Sequence, residues 1–176
     1  PGMGRGVPAA PAVERLGPSL ERWLTDAVAP TVRPSTLYGY RRLVEGHIIP
    51  AIGSVRLARL TPSDLVQLQA TLRAKGLAPR MVQYVHAVLH RALVVAMRWG
   101  LVVVNVADMV DPPKVTRFEA HPLTPAEAAH FLKMAQTDQH YALYALLVTC
   151  GLRIGEALGV RWMDVDLKRG VLAVRQ

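Results

Sequence analysis

Proline opens a run of helix-spaced apolar residues four times in this chain, at Pro34, Pro62, Pro79 and Pro125. Proline lacks an amide hydrogen and has a fixed φ, so a helix tolerates it in its first turn and resists it further in. These four positions therefore mark helix beginnings, and most of the chain must be helical. From Pro34, the residues Leu37, Tyr40, Val44 and Ile48 share one face while Arg41, Arg42 and Glu45 fall elsewhere, a helix expected to end at Pro50. Thr61 is placed as an N-cap before Pro62, Asp64 complements the helix dipole, and Leu65, Leu68 and Leu72 form the stripe before Gly76. The pattern from Pro79 runs through Val82, Val85, Leu89, Ala92, Leu93 and Ala96, with Gly100 as its stop. A further helix is expected over residues 19–28, where Leu20, Trp23, Leu24 and Ala27 align before Pro30. Four amphipathic helices predict one all-α unit.

Between residues 108 and 122 the periodicity fails, and Asp111-Pro112-Pro113-Lys114 is a stiff polar break of the kind that joins domains. Thr124-Pro125-Ala126-Glu127 then reads as a capping box opening a helix with Phe131 and Leu132 inside. Residues 139–150 read as a nearly all-apolar buried helix, 154–160 as a short helix, and 165–174 as two β segments around Lys168-Arg169-Gly170. The expected organisation is a flexible leader over residues 1–18, a helical domain over 19–111, a linker over 112–123 and a second domain from 124 to 176. The chain stops inside the hairpin, so this second domain is expected to be the front of a longer one.

Charge narrows the partners. Lys and Arg outnumber Asp and Glu by 21 to 13, and most of the cations are arginine, which pairs better with phosphate. Residues 1–111 carry 13 basic and 7 acidic side chains against 8 and 6 in the remainder, so the helical domain holds most of the excess. Nucleic acid is the first partner this suggests. A single cysteine, Cys150, excludes an internal disulfide and fits a reducing cytoplasm. No metal site is expected: His86 and His90 have helical spacing but no third ligand nearby in sequence, and they read as a solvated or DNA-facing helix edge. No apolar stretch approaches the length of a membrane span, and the leader, rich in Pro, Gly and Ala, has no apolar core of a secretory signal.

The segment from Thr149 to Asp166 carries the most specific signal. It contains Gly151-Leu152-Arg153, Glu156 three places on, then Leu158, Val160, Trp162 and Asp164 before the β segments. Gly151 can end the preceding helix in a left-handed conformation and so aim Arg153 from a helix boundary, where a guanidinium grips an anion. Glu156, one turn on, either orients Arg153 or contacts an active-site network; a purely structural Arg–Glu helix pair is the plain alternative. Trp162 and Leu158 are expected to pack a core, and Asp164 and Asp166 to cap the strand entry.

This segment resembles the first conserved box of the tyrosine recombinase (phage integrase) family. Residues 19–111 resemble the family's core-binding domain. The matching features are Arg33-Pro34-Ser35-Thr36-Leu37, Tyr40, the run His47 to Gly53, Leu60 to Asp64, and Ala96 to Leu101 before Asn105. Val106 departs from the proline that usually follows that asparagine. The resemblance implies a mainly α fold, a four-helix core-binding (SAM-like) bundle followed by a truncated α+β catalytic domain with a C-terminal β-hairpin. It also implies a clamp on double-stranded DNA, with catalysis through a 3′-phosphotyrosyl intermediate and no cofactor. Arg153 would then be catalytic and Glu156 supporting. Ser35, Thr36, Tyr38, Arg41, Arg42, Arg80, Gln83, His86, His90 and Arg91 lie on polar faces suited to phosphate contact. Analogy further implies self-association on DNA, as a tetramer.

The rest of the family's machinery, a hairpin lysine, a His-x-x-Arg box and a tyrosine nucleophile, has no match here, and all five tyrosines precede Arg153. Lys168 is left unassigned, because the family's lysine belongs to the following hairpin. The chain by itself is therefore expected to bind DNA without cutting it. A truncated, inactive DNA-binding protein derived from an integrase, and a helical interaction module that never meets DNA, stand as alternative readings.

Overall fold

The computed structural model describes residues 14–116 and 119–175 and divides into two compact units, Pro1–Arg117 and Phe118–Gln176. The expected leader falls mostly on residues 1–13, outside the described residues.

In the first unit, α1 (Leu16–Trp23) runs on through a π-turn (Leu24–Val28), and α2 (Pro34–Leu43) runs on through a second π-turn (Val44–Ile48) into α3 (Ile49–Ile52). These rods, with α4 (Pro62–Ala74) and α5 (Pro79–Arg98), form the four-helix bundle that the periodicity predicts. Its core is the predicted apolar set: Leu20, Trp23, Leu24, Val44, Ile48, Leu65, Leu68, Leu72, Val82, Val85, Leu89 and Leu93 are all buried. Two boundaries differ from expectation. The first helix begins at Leu16, not at Ser19, because an antiparallel pairing of Arg15 with Arg56 and the bond from Leu16 N–H to Val55 O (2.9 Å) tie its entry to the loop after α3. Leu16 is 1% exposed and belongs to the core, not to a leader. Gly17 N–H reaches Gly53 O at 2.9 Å; a Cβ on Gly17 would sit 3.3 Å from that oxygen, so glycine allows the close approach.

The second difference is at Pro50, where the helix was expected to stop. The preceding turn is bonded in the wider i→i+5 pattern, Ile49 N–H to Val44 O, and Pro50 falls in the first turn of α3, where no amide donor is required. The rod therefore continues to Ile52. Thr61 caps α4 as predicted, and Asp64 closes a full capping box by accepting from Thr61 N–H at 2.8 Å. Gly100, at φ 71°, ends α5 as expected. A 3₁₀ turn (Leu57–Arg59) and another (Val106–Met109) were not foreseen; each is too short to show a period.

The second unit holds α6 (Pro125–Met134), α7 (Tyr141–Cys150), α8 (Ile154–Leu158) and a hairpin of β1 (Val165–Asp166) and β2 (Val171–Leu172), paired Val165 with Leu172 and Asp166 with Val171. The Thr124/Glu127 capping box forms as predicted. Two expectations fail here. No residue of α7 is fully buried, and Trp162 and Leu158 are 86% and 70% exposed instead of packed. The physical reason is shared: within the described residues this unit has too few elements to cover both faces of an apolar helix, and Ala157 is its one buried apolar side chain.

Candidate nucleic-acid interface

Arg153 stands at the point where α7 has ended and α8 has not begun. Gly151 takes φ 65°, as its place after α7 requires, and the reversal leaves Arg153 as the N-cap of α8 in extended conformation. Its side chain is 85% exposed and that of Glu156 only 16%. Glu156 makes two bonds to the same residue: it accepts from Arg153 N–H at 2.8 Å and from Arg153 Nη1 at 3.0 Å. The backbone bond, then the guanidinium bond, hold the Glu156 carboxyl below the usual carboxylate range. A glutamate that caps the helix and braces the arginine at once fixes the direction of the guanidinium and leaves its other donors open to an anion. Asp166 caps the hairpin turn by accepting from Lys168 N–H and Arg169 N–H, both at 3.0 Å. Asp164 lies 3.1 Å from Arg175 Nε, but this close ion pair is not aligned as a hydrogen bond and leaves Oδ1 unsatisfied.

In the first unit four arginines rest on aromatic rings. Arg42 lies 6.0 Å from the ring centre of Tyr38, Arg80 5.0 Å from Tyr84, Arg91 5.6 Å from Tyr40 and Arg22 5.1 Å from Trp99. Arg91 also donates to the Tyr40 hydroxyl at 2.8 Å, and Tyr40 stacks on the buried Trp23 at 5.9 Å. Each such contact immobilises a flexible cation without neutralising it. Arg22 is also paired with Glu14 at 3.3 Å, and Arg41 is paired with Glu45 at 3.0 Å. Helical periodicity places Arg80, Tyr84, Arg91 and Arg98 on one face of α5. Ser35 and Thr36 are exposed in the first turn of α2.

The structure thus brings Tyr38, Arg42, Arg80 and Arg91 into ring-braced pairs, with Gln83 accepting from Arg80 at 3.0 Å. It separates His86 and His90 from them. These lie roughly 80–120° round α5 and turn to the segment that leaves the bundle, His90 keeping 40% of its side chain exposed. His86 is half-buried against Gln69 (3.4 Å), and burial, helped by His90, pulls its pKa below the ordinary value. His90 Nε2 lies 2.7 Å from Asp108 Oδ1, so the fold does bring a carboxylate to the pair; it serves as a hydrogen-bond partner. Among the described residues no three His, Cys, Asp or Glu side chains cluster as metal ligands, and no helix is long and apolar enough to cross a membrane.

Sequence reasoning missed Tyr84, Arg98, Arg22 and Trp99. The spacing of Arg80, Arg91 and Arg98, by 11 and then 7 residues, is a helical repeat that would have found Arg98. The aromatic braces depend on neighbouring helices and left no signal.

Residues 16–73 match the family described as phage integrase, N-terminal SAM-like domain. The tyrosine recombinase XerC of Alcanivorax borkumensis is 30% identical over 150 residues, covering 80% of this chain and 48% of the relative. The solution structure of a phage integrase SAM-like domain from Moorella thermoacetica is 37% identical, with a TM-score of 0.52, and the match covers 63% of this chain and 94% of that domain. A lambda integrase dimer bound to a COC′ core site shares the fold at a TM-score of 0.76 and 18% identity, over 90% of this chain and 47% of that one. The chain spans less than half the length of the first curated integrases and recombinases it matches. With nearly the whole of a phage integrase SAM-like domain matched at this identity, the chain belongs to the tyrosine recombinase (phage integrase) family.

Proposed function

We propose that this chain is a DNA-binding portion of a site-specific recombinase whose whole protein breaks and rejoins duplex DNA through a 3′-phosphotyrosyl intermediate. Residues 16–111 serve as the core-binding domain, 112–123 as the linker and 124–176 as the beginning of the catalytic domain. The observation that carries this reading is Arg153, exposed at a helix boundary and held at two points by Glu156. A fixed guanidinium suits the phosphate oxygens that gain charge during phosphoryl transfer. Arg153 is the catalytic residue and Glu156 positions it. The braced arginines Arg42, Arg80 and Arg91, with Ser35, Thr36, Tyr38 and Arg41, hold the DNA backbone. Double-stranded DNA in the cytoplasm is the partner, and protomers assemble on it as a tetramer. No cofactor takes part.

The experiment is fluorescence anisotropy of this chain on a mixed-sequence duplex at several salt concentrations. Micromolar or tighter binding that weakens steeply with salt supports the reading. Absence of binding at low salt, from a chain shown to be folded by circular dichroism, overturns it in favour of a helical interaction module.

A further inference from the structure

We propose that the groove between α2 and the start of α5 is a stacking site for an unpaired, extrahelical nucleobase, an inference that rests on the DNA-binding reading above. The groove encloses about 790 Å³ and is lined by Tyr38, Arg42, His47, Met81 and Tyr84 among others. Its composition is unusual for a surface that only follows a phosphate backbone. Tyr38 is 63% exposed, Tyr84 48% and Met81 39%, so two aromatic rings and a thioether are open in one depression. A duplex presents its bases edge-on in its grooves and keeps their faces stacked, so the ring faces that the arginines leave open have nothing to stack on until a base leaves the helix.

The charge of the groove favours a nucleotide over an apolar peptide. Arg42 lies over Tyr38 and Arg80 over Tyr84, so each ring comes with a cation able to meet the phosphate attached to a base stacked there. The one carboxylate in the lining, Glu45, is engaged by Arg41 at 3.0 Å. Met81 adds a deformable apolar contact that accepts purines and pyrimidines alike. Stacking of this kind carries little sequence preference, because every base has a π-face. The site therefore selects the structural state of DNA, distorted over regular.

The test compares this chain on two duplexes of one sequence, one perfect and one with a single unpaired adenine, and repeats the pair with 2-aminopurine at the unpaired position. The bulged duplex is expected to bind about tenfold tighter, within the range of one stacked base, with quenching of the 2-aminopurine. In Tyr38→Ala/Tyr84→Ala the ratio of the two affinities falls to about one; in Tyr38→Phe/Tyr84→Phe it is kept, because the ring and not the hydroxyl does the stacking. Circular dichroism shows whether both variants are folded. A ratio near one in the unaltered chain, or one unchanged in the double alanine variant, overturns the stacking site while leaving duplex binding intact. Failure to bind either duplex overturns the DNA-binding reading and this inference with it.

Discussion

Gln69, on α4, donates a hydrogen bond to the backbone carbonyl of Asp111, 42 residues further along the chain, at 3.2 Å. The contact fastens the segment by which the chain leaves the bundle. Asn105, 1% exposed, does the same from the other side: its amide donates to His90 O at 3.3 Å and its carbonyl accepts from Ala107 N–H at 3.1 Å. Two of the few buried polar side chains of the helical unit are thus spent on one short segment. Asn105 has both ends of its amide bonded, and a buried amide satisfied in this way specifies a unique arrangement better than apolar packing does.

The Asn105→Ala variant is expected to lose about 1–3 kcal/mol in urea denaturation, since it removes two hydrogen bonds and leaves the buried Ala107 N–H without its acceptor. Gln69→Leu loses about 1 kcal/mol, and amide exchange accelerates over residues 105–111 in both. An Asn105→Ala loss no greater than that of Val103→Ala, whose side chain is 91% exposed, would remove the fastening role.

The two units should respond differently to apolar truncation. Leu89→Ala, in the fully buried stripe of α5, is expected to cost about 2–5 kcal/mol. Leu158→Ala, at a residue 70% exposed, is expected to change stability by less than about 0.5 kcal/mol in this chain. Chemical denaturation of the two variants checks the contrast, and a large loss at Leu158 would mean that this side chain is covered in solution.

What could be read from the sequence follows from the range of the interactions involved. The bundle was legible because Leu65, Leu68 and Leu72, or Val82, Val85 and Leu89, repeat with the helical period and because Thr61 and Gly100 punctuate them locally. Gly151 and Arg153 were legible for the same reason, the turn being made within five residues. The continuation past Pro50 was not, since it depends on a π-turn, and neither was the pairing of Arg15 with Arg56, which joins residues 41 positions apart. The burial of α7 was misjudged because composition reports how apolar a helix is and not how many neighbours cover it.

Acid weakens the structure at three identifiable places: the Glu127 cap, which Thr124 holds below the ordinary carboxylate range, the Glu156 brace and His86. The Glu156 carboxyl titrates below its ordinary range in the folded chain, so its hold on Arg153 is complete above the ordinary carboxylate pKa and is lost as the pH falls through the lower, folded value. Carbon-detected NMR titration of Glu156 is expected to show this low value in the unaltered chain and a return toward the ordinary one in Arg153→Ala, which keeps the backbone bond and removes the guanidinium bond. A value that does not move would place the whole effect on the helix cap.

His86 acts in the same direction through the opposite chemistry. Burial favours its neutral form, so the unfolded chain binds a proton more readily, and stability falls as the pH drops from the ordinary histidine value of 6.5 to the lower folded one. Asp108 and Asp111 work against this shift and keep it limited. Thermal unfolding between pH 7 and 5 is expected to show a shallower decline in His86→Gln than in the unaltered chain; equal declines would exclude His86 as a source.

The division of labour between the two units makes a last prediction. Each cation that neutralises a phosphate contributes about 0.9 to the slope of log affinity against log salt. Arg41→Ala/Arg42→Ala is expected to flatten that slope by at least about 1, the share of Arg42, and to weaken duplex binding further by freeing Glu45, which Arg41 neutralises at 3.0 Å. Arg153→Ala is expected to flatten it by about 1 or less and to weaken binding only modestly, because a single guanidinium reserved for the reacting phosphate contributes one contact among many. Arg42→Lys separates charge from geometry: the slope is kept, while affinity declines to the extent that the planar group on the Tyr38 ring was holding its phosphate in place. Equal effects of the paired change and of Arg153→Ala on both slope and affinity would mean that Arg153 is an ordinary backbone contact, and the assignment of a separate catalytic role to it would fall.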